Sequence, residues 1–101
     1  MAKNADNRVI IDDPFAKRLM VRYLSHREDD VRTLRSALAS EDFEQIRKKG
    51  HNLFGSGSAY GLDRISELGA ALEKTARKKN SGDLGKLIDT LEAFIRNVRV
   101  V

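Results

Sequence analysis

The chain contains no cysteine and no tryptophan, one proline and only two histidines. Without cysteine there are no disulfides and no thiolate metal sites, and a reducing compartment fits. His26 and His51 stand too far apart in sequence to form a metal site, so neither a metal nor another cofactor is expected. No apolar run approaches the roughly 20 residues of a membrane span. Residues 1–7 are polar and carry no apolar stretch of signal-peptide type. A cytoplasmic protein is expected, with residues 1–12 as a disordered or extended lead. Gly55-Ser56-Gly57-Ser58 lacks the Lys-Ser/Thr ending of a P-loop. An intrinsic kinase would need an ATP-binding domain, for which there is no room.

What is present suits one small globular domain. The 101 residues are 41% hydrophobic and 34% charged, with a formal net charge of +4. The isoelectric point of about 9.6 is compatible with an acidic protein partner, nucleic acid or acidic lipid.

Periodicity and cap chemistry divide residues 13–101 into helices. Asp12 and Asp13 precede Pro14, an N-cap followed by proline at the first helical position. Phe15, Leu19, Tyr23, Val31, Leu34 and Leu38 follow at helical spacing. Ser25 and Glu28 form a candidate capping box, so residues 14–39 are one long helix or two meeting near His26. Ser40 reads as the next N-cap, with Phe43, Ile46, Gly50, Leu53, Phe54 and Gly57 on one face beyond it. A glycine-rich break spans residues 55–61. Leu62, Ile65, Leu68, Leu72 and Ala76 mark a third major helix ending in Lys78 and Lys79. Ser81-Gly82-Asp83 reads as a turn, and Leu84, Ile88, Leu91 and Ile95 mark the last helix. The expected fold is all-α: an antiparallel four-helix bundle with an additional short or kinked N-terminal helix. Val9-Ile10-Ile11 reads as an extended lead on the bundle in preference to a strand.

The chemistry concentrates at His51. Five of the seven glycines, Gly50, Gly55, Gly57, Gly61 and Gly69, lie within residues 50–69. Glycine costs a helix about 0.5–1 kcal/mol relative to alanine, so close approach of another body is the usual reason for it. Gly50 and Gly57 fall on the apolar face and suit a neighbouring helix. Gly55 lies about 40° round from His51 and one turn on, leaving a bare patch beside it. Arg47 and Lys48 lie one turn back on the same side. A neutral imidazole nitrogen is a phosphoryl acceptor, and nearby cations favour the neutral ring and steady the transferring oxygens.

The segment His51-Asn52-Leu53-Phe54-Gly55-Ser56-Gly57-Ser58-Ala59-Tyr60-Gly61 resembles the histidine-containing phosphotransfer family. Its signature is a histidine, lysine three residues on, glycine four on and a second glycine downstream. His51, Gly55 and Gly61 are in place, and the likeness covers roughly residues 14–99. The resemblance implies a phosphocarrier without kinase activity, moving a phosphoryl group on His51 between receiver-domain aspartates of a two-component phosphorelay. It implies a monomer whose partners are receiver domains of response regulators or hybrid kinases. Phe54 departs from the pattern, standing where the family usually has lysine. Arg47 or Lys48 is the candidate replacement cation, and Gly55, Phe54 and Ser58 complete the supporting set. Phe54 reads first as a core-edge residue and second as a shield for His51. Lys74 and Tyr60 are candidate docking residues; His26 is given no role.

Two other functions compete. One is a non-phosphorylated adaptor of the same fold that docks on a receiver or kinase, with Phe54 as its best support. The other is a small basic nucleic-acid binder. Against it, the basic residues are dispersed among acidic ones, with no recognition-helix pattern and no set of base-stacking aromatics.

Overall fold

The Asp13 carboxylate accepts hydrogen bonds from the backbone N–H groups of Phe15 and Ala16, and Pro14 follows at the first helical position. This start launches the longest element of the protein. In a computed structural model, which describes residues 8–101, the order is β1 (Arg8–Val9), α1 (Pro14–Ala39), α2 (Phe43–Gly57), a 3₁₀ turn (Ser58–Tyr60), α3 (Asp63–Arg77), α4 (Ser81–Asn97) and β2 (Arg99–Val100). The four α-helices form the expected bundle. Among the described residues no separate helix precedes them: α1 runs unbroken through His26, and Ser25 and Glu28 are exposed mid-helix residues, not a cap.

Two other helix boundaries differ from the sequence reading. Ser40 closes α1, its hydroxyl donating to the carbonyls of Ser36 and Ala37, while Asp42 caps α2 by accepting from the Gln45 N–H. Ser81-Gly82-Asp83 is the first turn of α4, because Asn80 beside it accepts the Asp83 N–H. Ser, Asp and Asn all satisfy free helix-end groups, so several adjacent candidates compete and the backbone geometry chooses.

The bundle interior is aliphatic. Leu34, Ile46, Leu53, Ile65, Leu72 and Leu84 are among its fully buried side chains. Phe15 and Leu19, placed on the apolar face by periodicity, are exposed at 60% and 41%. Tyr23 already meets Ser56 near the end of α2. At about 1.5 Å per residue, the first turns of α1 therefore extend beyond it. Of the run Val9-Ile10-Ile11, Val9 lies in the short strand β1, and Val9 and Ile11 pack against the bundle core as an extended lead would. β1 and β2 pair in parallel, with Arg8 opposite Arg99 and Val9 opposite Val100. Residues 1–7 of the expected lead lie outside the described residues.

The closest helix pair is α2 with α3. A Cβ on Gly69 would lie 2.5 Å from the Phe54 nitrogen and 2.6 Å from the Gly50 carbonyl oxygen. A Cβ on Gly57 would lie 2.5 Å from the Ser66 nitrogen. Backbone meets backbone here, and no side chain can yield. At Gly55 nothing lies within 4 Å. Gly69→Ala is therefore expected to destabilise the fold by about 1–3 kcal/mol through overpacking. Gly55→Ala should stabilise it by about 0.5–1 kcal/mol through helix propensity. Urea unfolding followed by circular dichroism checks both; equal stability of the two variants would contradict the close contact.

Candidate functional site

The α2–α3 register fixes what lies beside His51. Gly50 is buried against α3, where an added Cβ would meet the Glu73 nitrogen at 2.8 Å. The next residue, His51, is turned about 100° round the helix and stands at the edge of the pair. Its side chain is 65% exposed, and Nδ1 lies 3.4 Å from Glu73 Oε1. The second Glu73 oxygen faces Arg77 at 3.1 Å and Arg47 at 4.0 Å. A carboxylate only accepts hydrogen bonds, so the imidazole proton belongs on Nδ1 and the lone pair on Nε2. Glu73 was missed as a site residue in the sequence. Its signal was its place one helical turn beyond Gly69, the glycine that lets α3 come this close.

The residues read as supporting the site or docking a partner have different surroundings. Gly55 leaves open space. Arg47 binds Glu44 through two nitrogens at 3.0 and 2.6 Å, while its third lies 4.0 Å from Glu73. That hydrogen-bonded pair holds the Glu44 carboxyl below the usual carboxylate range and raises the Arg47 guanidinium. Lys48 and Lys74 are exposed. Ser58 turns away from the histidine, its N–H and hydroxyl both directed to the Ser66 hydroxyl at 2.8 and 3.1 Å. Ser66 in turn donates to the Phe54 carbonyl at 2.8 Å, fastening the end of α2 to α3.

Phe54 is not a core-edge residue. Its ring is 51% exposed, because its position faces past α3 while Leu53 takes the buried side. Tyr60 is 40% exposed and stacks on Tyr23, with ring centroids 4.0 Å apart. The Arg27 guanidinium lies 4.3 Å from the Tyr23 centroid, and the Tyr23 hydroxyl pairs with Ser56 at 2.8 Å. Arg27 also meets Asp30 at 2.7 Å, and Asp30 meets Lys49 at 3.0 Å. This column joins α1 to the end of α2 and holds the 3₁₀ turn, a connection that helical periodicity alone did not reveal. His26 is exposed on α1.

An exposed histidine facing a carboxylate, beside a bare glycine on a four-helix bundle, has a counterpart among known families. The sequence pattern of the Hpt domain matches residues 18–100. The chain belongs to the Hpt domain family. Such domains serve histidine phosphotransfer in phosphorelays as phosphocarriers, not kinases, and typically interact with receiver domains. Neither the curated proteins nor the solved structures yield a significant match. Among the described residues of this Hpt domain, no helix is long and apolar enough to cross a membrane.

The Glu73 contact makes a spectroscopic prediction. Nitrogen-15 correlation spectra of wild type should show the proton on Nδ1 of His51. In Glu73→Ala the Nε2-protonated form should gain population. A wild-type ring protonated mainly on Nε2 would show that Glu73 does not set the tautomer.

Proposed function

We propose that this Hpt domain is a cytoplasmic phosphorelay intermediate that carries a phosphoryl group on Nε2 of His51 between receiver-domain aspartates. The carrying observation is the exposed imidazole whose Nδ1 faces Glu73. The Nε2 lone pair attacks the phosphorus of an aspartyl phosphate. A P–N bond forms as the P–O bond breaks, and the electron pair leaves with the aspartate carboxylate. The ring keeps its Nδ1 proton and becomes cationic, and Glu73 faces the new charge. Transfer to the second receiver reverses these events. Gly55 leaves room for the incoming carboxylate and its backbone.

The missing lysine at position 54 alters the charge around the phosphoryl group. Helical side chains lean toward the N-terminus, so a residue three positions after His51 leans back toward it. Arg47 is held by Glu44, and Lys48, exposed one turn back from His51 on α2, is the cation assigned to follow the group. A solvent-screened charge about 4 Å away contributes about 1 kcal/mol, or about fivefold in rate. Phe54 favours a second reading, an adaptor that docks on a receiver without accepting phosphate.

Incubation with a phosphorylated receiver domain separates these readings. Acid-labile, alkali-stable label is expected on wild type and absent from His51→Gln, with Lys48→Ala labelled about fivefold more slowly. Label persisting in His51→Gln would move the site elsewhere. Receiver binding without label would establish the adaptor.

A further inference from the structure

We infer that Phe54 is a specificity-determining residue, selecting receiver domains that present an apolar, not an acidic, side chain opposite it. The inference rests on the phosphotransfer reading and deepens it. Residues three apart on a helix are neighbours at about 5–6 Å. Any domain that brings a phosphoryl group to Nε2 of His51 must therefore also cover Phe54. That ring is half exposed in the unbound protein.

Its backbone is held on both sides. The nitrogen lies where Gly69 permits close approach, and the carbonyl accepts the Ser66 hydroxyl. The ring is thus presented from a rigid site, as is the exposed Tyr60 stacked on Tyr23. Rigid aromatic side chains lose little freedom on binding and anchor interfaces well. An acidic group set against Phe54 would lose its water and gain no partner. An apolar group buries both surfaces and leaves Gly55 open beside it. Lysine at this position would prefer the opposite arrangement.

The test is titration calorimetry of unphosphorylated receiver domains from the same cell against wild type, Phe54→Leu, Phe54→Ala and Phe54→Lys. Circular dichroism serves as the folding check. For the best wild-type receiver, alanine and lysine should weaken binding at least about tenfold, and leucine by less than about threefold. Wild-type affinity should change little between low and high salt, and Phe54→Lys should shift preference toward receivers whose binding falls with salt. Equal affinity of wild type and Phe54→Lys for the same receivers, with labelling intact, would overturn the role of Phe54 alone. Docking that depends on Phe54 without any label on His51 would instead overturn phosphotransfer alone. Absence of binding to every receiver would overturn both.

Discussion

Direct backbone contact between α2 and α3 governs the rest of the molecule. Gly50, Gly57 and Gly69 remove the side chains that would otherwise hold these helices apart. Ordinary helix pairs sit about 8–10 Å apart, separated by their side chains. Here the hydrogen-bonding groups of one helix lie against those of the other. Such an interface has one register, because sliding by a residue would bring a Cβ onto a carbonyl oxygen. That register sets Glu73 beside His51, and it lets Ser66 fasten both the Phe54 carbonyl and Ser58. The geometry of the histidine is therefore a property of the backbone packing, and surface substitutions far from the glycines should leave it intact.

The longer α1 contributes in a different way. Its aromatic column ties Tyr60 to the bundle through Tyr23 and Arg27. On its other side Arg35 reaches Asp89 and Glu92 of α4 at 3.0 and 2.6 Å. Those carboxylates raise the Arg35 guanidinium through their hydrogen bonds. Exposed pairs of this kind are each worth little, so they orient α1 more than they stabilise it. The aliphatic interior supplies the main driving force.

The bundle and the position of His51 were legible because both depend on short-range spacing. Leu84, Ile88, Leu91 and Ile95 repeat at helical intervals, and all four are buried. Gly55 was legible as an open patch from its angle to His51. The sequence was less informative where distant segments meet. Nothing local to Glu73 marks it as facing a histidine 22 residues earlier. Phe54 has the composition of a core residue and the position of a surface one. Phe15 and Leu19 keep the periodicity of a buried face along turns that outrun the helix they would cover. Ser40 and Asp42 are both good caps, and only the turn between α1 and α2 assigns one to each helix.

The parallel ribbon of β1 and β2 makes the fold nearly circular. The Ile11 N–H donates to the Val101 carbonyl at 3.0 Å, and the Val101 N–H donates to the Val9 carbonyl at 2.9 Å. Residues at opposite extremes of the described chain are thus hydrogen-bonded neighbours. Because the two strands run parallel, the end of β2 points away from the start of β1, and any covalent connection between them has to cross back along the ribbon. The ribbon also carries the longest loop-closure cost in the fold, so its pairing is favoured only once the bundle has brought its strands together. The histidine surface and the chain's clasp are thereby separable parts, one set by glycine packing between neighbouring helices and the other by pairing between the two extremes of the described chain.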